Sequence, residues 1–149
     1  MMKIEDFVAE IKANTGMIEE VCKKHIVKKY VPYLEKVTKC EHIVSTTMKN
    51  ETGSFHQSTP SRFLVFTMTL IKNYTDLEIN SEALWEEYDK LDEVGALMPL
   101  NAAMPQAEVG EFNTILAMAV EDYMTNNRSM VSYFDKYMDE IKNQVMAEQ

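Results

Sequence analysis

A single all-α domain of six or seven helices is the architecture this sequence predicts, and three observations predict it. Only four glycines and four prolines punctuate 149 residues, so uninterrupted segments are long and the tight turns of an all-β fold are scarce. Apolar residues recur at steps of three and four through most of those segments. A content of 46% hydrophobic and 26% charged residues is that of an ordinary globular chain, which at this length buries about two thirds of the surface its unfolded form exposes.

The first helix is expected from Lys3 to Ala13, with Ile4, Phe7, Val8 and Ile11 on one face, and Asn14-Thr15-Gly16 offers an exit in which glycine takes a left-handed cap. A second segment starts near Met17, sets Ile18, Cys22 and Ile26 against Lys23, Lys24, Lys28 and Lys29, and runs to a break at Tyr30-Val31-Pro32. Pro32 opens a third helix to about Thr47, with Tyr33, Val37, Cys40 and Val44 on its stripe and Lys36, Lys39 and Glu41 pointing away. Residues 49–59 combine turn-forming content with no period and read as the longest exposed loop.

Ser58-Thr59-Pro60 is a helix start, a hydroxyl facing orphan N–H groups and a proline where no donor is needed. The apolar run through Phe63, Leu64, Val65, Phe66, Met68, Leu70 and Ile71 then reads as the central helix. Leu77-Glu78-Ile79 is too short to classify. Asn80 or Ser81 is expected to cap a helix whose inner stripe is Leu84, Trp85, Tyr88 and Leu91 and whose other face is acidic, with Glu82, Glu86, Glu87 and Asp89. A partly helical connector over 95–105 leads to a long helix from about Gln106 with Val109, Phe112, Leu116, Ala119 and Tyr123 inward. Asn126-Asn127-Arg128 interrupts that pattern, and Ser129 caps a last helix. There Val131, Phe134, Met138, Ile141 and Val145 form a narrow apolar seam. Residues 1–149 are thus one domain, with 129–149 a candidate protruding or docking helix, although a seam that faces the chain's own bundle has the same period as one that faces another subunit.

The net charge of -9 argues against direct nucleic-acid binding, which needs clustered Lys and Arg. The balance is uneven, +2 over residues 1–50 and -11 over 51–149, a distribution that could steer the chain to a basic protein surface. Two cysteines make no disulfide framework, no signal-peptide pattern opens the chain, and no apolar run approaches the roughly 18 residues that cross a bilayer. Synthesis in a reducing cytoplasm, without membrane spanning, is expected.

Candidate chemistry is sparse. Cys22, His25, Cys40 and His42 are soft or borderline donors of the kinds zinc takes, but Cys40 and His42, two apart on a helix, point about 200° from one another. Neither a nucleophile motif around the three histidines nor a glycine-rich phosphate cradle is present, and His56 stands alone in its polar stretch. No cofactor, metal or enzymatic activity is expected. Twelve methionines, with Met118, Met124, Met130, Met138 and Met146 in the last third, suit either adaptable contact surfaces or irregular cores.

Two stretches resemble a known group: Ser58-Thr59-Pro60-Ser61-Arg62-Phe63 leading into Leu70-Ile71-Lys72-Asn73-Tyr74-Thr75, and Glu111-Phe112-Asn113-Thr114-Ile115-Leu116 leading through Glu121-Asp122 to Asn127-Arg128-Ser129. They resemble small all-helical proteins encoded in the structural, head-tail and tail gene clusters of tailed bacteriophages. The resemblance implies a non-enzymatic virion or assembly protein, made in the host cytoplasm, whose partners are other virion proteins or copies of itself. The alternative is an acidic phage-encoded inhibitor acting in the host cytoplasm on a basic surface of a host protein. Val131, Phe134, Met138, Ile141 and Val145, with Glu82, Glu86, Glu87 and Asp89, are the expected contact residues.

Overall fold

The computed structural model describes residues 1–51 and 54–147, with side chains described except at 49–51, 54–56 and 127–135. The chain is mostly helical, as its composition predicts: α1 (Ile4–Ala13), α2 (Ile18–Lys24), α3 (Tyr33–Thr47), α4 (Thr59–Tyr74), α5 (Leu84–Glu93), α6 (Leu97–Ala103) and α7 (Gln106–Ala147). Short strands β1 (Met2–Lys3), β2 (Met48–Glu51), β3 (Ser54–Gln57) and β4 (Leu77–Glu78) punctuate them. Gly16 at φ 85° ends the α1 exit, where a left-handed backbone favours glycine.

The central helix starts as predicted, with the Ser58 hydroxyl accepting from the Ser61 N–H at 3.3 Å and proline in the first turn. Leu64, Phe66, Met68, Leu70, Ile71 and Tyr74 of α4 are buried, and α4 packs against α3 and α5 while α3 packs against α7. Phe7, Ile43, Leu77, Leu91, Leu100 and Phe112 complete one core drawn from every helix, from α1 to the root of α7. Burying a side chain of this size contributes roughly 1.5–3 kcal/mol.

Several expectations are corrected. Met48–Glu51 and Ser54–Gln57 pair as antiparallel strands, with Met48 opposite Gln57 and Glu51 opposite Ser54, where a loop was expected. Two short runs separated by two residues that include Gly53 carry a hairpin spacing that composition alone conceals. α2 stops at Lys24, well short of Tyr30. The chain beyond it is claimed by the exit of α4: Val27 and Lys28 N–H donate to the Tyr74 carbonyl at 3.0 and 3.3 Å, and Asp76 N–H donates to the His25 carbonyl at 3.2 Å. The unclassified Leu77–Glu78 pairs in parallel with Met2–Lys3.

α5 begins at Leu84 without a side-chain cap, because the Asn80 carboxamide oxygen instead accepts from the Glu82 N–H at 3.0 Å in a preceding turn. Trp85, expected inside, is exposed, and Phe63 of the central helix is exposed as well. The expected break at residues 126–128 does not occur: α7 is continuous over 42 residues, about 63 Å at 1.5 Å per residue. Asn, Arg and Ser cost only fractions of a kcal/mol each in a helix interior, and this stretch contains neither glycine nor proline.

Candidate functional site

Three places concentrate chemistry: a buried ionic cluster at the root of α7, a histidine clamped between carboxylates, and the free end of α7.

At the root, Glu108 accepts from the Val31 N–H at 2.6 Å, from Lys36 Nζ at 2.7 Å and from the Tyr74 hydroxyl at 3.2 Å. Glu111 accepts from the same Lys36 ammonium at 3.1 Å. The Lys36 side chain has 0% exposure, and its ammonium also lies 5.4 Å from the Tyr30 ring centroid and 5.9 Å from that of Phe112. Lys36 was expected to point away; it lies instead four residues before Cys40, on the stripe that α3 turns to the core. Burial works against ionisation of Glu108, but hydrogen bonds from Lys36, Val31 and Tyr74 and the Lys36 charge outweigh it and hold its carboxyl below the usual range. Burial likewise opposes the Lys36 charge, and its bonds to Glu108 and Glu111 override that and raise its pKa. Burial, followed by the Glu108 charge, pushes the Tyr74 hydroxyl up. The cluster binds α7 to α3, to α4 and to the segment before α3.

His25 caps α2 with Nδ1 2.8 Å from Asp76 Oδ1 and Nε2 2.8 Å from Glu10 Oε2, its ring edge-on to Phe7 at 5.2 Å. An imidazolium donates to both carboxylates at once, whereas a neutral ring donates to only one. Glu10 also accepts from Lys24 at 2.5 Å, and the bonds from Lys24 and then His25 lower its pKa. With both ring nitrogens occupied and the side chain 6% exposed, His25 ties α1, α2 and the α4 exit together and presents no free nitrogen outward.

The four donors considered for zinc do not converge. Cys22 and Cys40 are free and buried, each pushed up to about 11, Cys22 by burial and Cys40 by burial and the Glu41 charge, so both are poor nucleophiles. His42 is exposed, and His56 lies outside the described side chains. No cluster of three or more His, Cys, Asp or Glu side chains placed to share a metal ion occurs among the described residues.

Of the expected contact residues on the seam, Met138 is 49% exposed, Ile141 38% and Val145 54%, although apolar side chains at helical spacing ordinarily face a core. Tyr137 and Met146 beside them are exposed too, as is every residue over 136–147. The side chains of Val131 and Phe134 lie outside the described residues. Trp85, Glu86 and Asp89 of α5 are exposed, as is Glu82 in the turn before the helix. Glu87 does not share that face: it is buried and accepts from the Asn80 N–H at 2.8 Å. The Lys36 cluster and the His25 clamp, which sequence reading missed, are structural neighbours of the core rather than parts of either surface.

Two open grooves flank the bundle. One, of about 420 Å³, runs between Phe63, Tyr88, Leu97, Met98 and Asn113; the other, of about 500 Å³, lies between Tyr33 and Val37 on α3 and Met118, Ala119 and Asp122 on α7. No helix among the described residues is long and apolar enough to cross a membrane. Comparison with protein-family models, with curated proteins and with solved structures finds no match.

Proposed function

We propose that this chain is a non-enzymatic structural or assembly protein of a tailed-phage virion, of the head-tail connector, adaptor or tail-associated kind, that works by helix-mediated contacts. The observation that carries the reading is the free end of α7, which holds Met138, Ile141 and Val145 in water on a helix whose other end is locked into the core. Isolated apolar side chains on a surface need no explanation, but a continuous row of them on an unpacked helix marks a contact surface. In this reading the protein is made in the host cytoplasm and retained in the particle, its partners being virion proteins or further copies of itself, with no cofactor, membrane or nucleic acid required. Mass spectrometry of purified virions from the encoding phage tests it. The chain is expected in the particle, and its absence there together with normal head-tail joining in a deletion phage overturns the proposal.

A second reading has its own observation, the exposed Trp85 at the start of α5, with exposed Glu86 and Asp89 on the same helix and exposed Glu82 in the turn before it. An aromatic among acids on a chain of charge -9 fits an inhibitor that covers a basic surface of a host protein. A host-protein complex that dissolves between low and physiological salt and is lost in Trp85→Ala supports this reading over the virion role.

A further inference from the structure

We infer that two copies of this chain pair through the free ends of α7, antiparallel about a two-fold axis, in the register that sets Lys142 of each against Glu121 of the other. The pairing deepens the contact-surface reading of α7 and is independent of whether the assembly enters a virion.

The seam does not begin at residue 131. Because α7 is unbroken, the same alternation of three and four steps extends back through positions 127, 124, 120 and 117, giving a coiled-coil row about four heptads long. Ala117 is exposed and Val120 and Met124 are half-buried, so the row is accessible where α7 leaves the bundle. Over 136–147 every residue is exposed, so the far part of the row stands uncovered by the chain's own body.

Charge selects the occupant and the direction. The residues that directly follow seam positions 120, 127, 134 and 141 are Glu121, Arg128, Asp135 and Lys142, one per heptad with alternating sign. In an antiparallel pair this flanking row faces its own counterpart, and flanking charges set orientation and register. Crossing the helices near position 132 matches Glu121 with Lys142 and Arg128 with Asp135, twice over by symmetry. Sliding one heptad either way sets Arg128 against Lys142 with Asp135 against itself, or Glu121 against Asp135 with Arg128 against itself. A parallel pair would face the row with positions 116, 123, 130, 137 and 144, which are Leu, Tyr, Met, Tyr and Gln, and would leave its alternation without a purpose. In the matched register Val145 falls opposite Val120, Ile141 opposite Met124 and Val131 opposite Phe134, while the polar position 127 falls opposite Met138.

Antiparallel pairing also suits the net charge of -9 per chain. Residues 136–147 carry Lys136, Asp139, Glu140 and Lys142, so they are themselves neutral. The two acidic bodies sit at opposite ends of the paired segment, where their repulsion is weakest.

Sedimentation equilibrium on the full chain tests the inference. The wild type is expected to reversibly dimerise. Glu121→Lys alone and Lys142→Glu alone should each weaken the dimer about tenfold or more, since each reverses two flanking pairs worth up to about 1 kcal/mol apiece. An equimolar mixture of the two variants should dimerise again, because both interchain pairs become attractive only in the mixed antiparallel dimer. Circular dichroism of each variant, changed at an exposed position, should match the wild type. A wild type that stays monomeric at every concentration overturns the pairing, as does a mixture that associates no better than its components. Either failure leaves the virion reading standing, since that depends on presence in particles and not on self-association.

Discussion

The two ends of α7 carry the same apolar period and meet opposite fates. At the root, Val109, Phe112 and Ile115 are buried and Glu108 draws donors from α3, α4 and the segment before α3. At the far end, Met138, Ile141 and Val145 recur at equivalent spacing and stand in water. Periodicity therefore states which face of a helix is sticky, and only the tertiary arrangement states whether the chain itself covers it.

The largest expected effect belongs to the root. Lys36→Met leaves Glu108 buried without its cation and should cost about 3–5 kcal/mol, read from the urea midpoint. A loss below about 1 kcal/mol would mean that the cluster is solvated and that the root is no better anchored than the end. The same pair predicts a pH dependence. The Glu108 carboxyl is held below its ordinary value of 4.5, so its stabilisation is complete above that pH and is lost as pH falls through the lower folded-state value. Lys36→Met lacks that interaction, so urea titrations at pH 7 and pH 3 should show the two proteins converging at the acid end.

A smaller loss is expected at the His25 clamp. His25→Ala removes the buried ring that bridges Glu10 and Asp76 and should cost about 1–3 kcal/mol, measured by thermal unfolding; an unchanged midpoint would remove the clamp from the list of supports. The smallest stability effect belongs to the free end. Ile141→Asp should change unfolding free energy by no more than about 0.5 kcal/mol while abolishing association. If it unfolds the domain instead, the contrast between the two ends collapses and the seam belongs to the core.

Much of this was legible in the chain. The Ser58 cap with Pro60, the Gly16 exit and the stripe on α7 are local signals that the fold keeps, whereas the expected Asn80 or Ser81 cap is not used by α5. Lys36 was misplaced because its neutralising carboxylate lies 72 residues away; the only nearby clue was its four-residue spacing from Cys40. α2 ended early because the α4 exit competes for the backbone of residues 25–28, a tertiary claim that propensity does not register. The apparent break in α7 was three polar residues on a helix that no core demanded to be apolar. On the contact surfaces, the sequence picked out Met138, Ile141, Val145, Glu82, Glu86 and Asp89 as candidates, and all are exposed. It misread Glu87, whose hydrogen bond to Asn80 takes it out of the acidic face.

The Glu108 cluster also sets an order of events during synthesis. Its donors at Val31 and Lys36 precede their acceptor by 77 and 72 residues, so a growing chain holds an ammonium and an amide destined for the interior long before the carboxylate that satisfies them exists. Contacts of such separation slow folding. A ribosome-bound chain halted before residue 108 should therefore remain open to proteolysis between α2 and α3, and acquire resistance there only once the first turns of α7 have emerged.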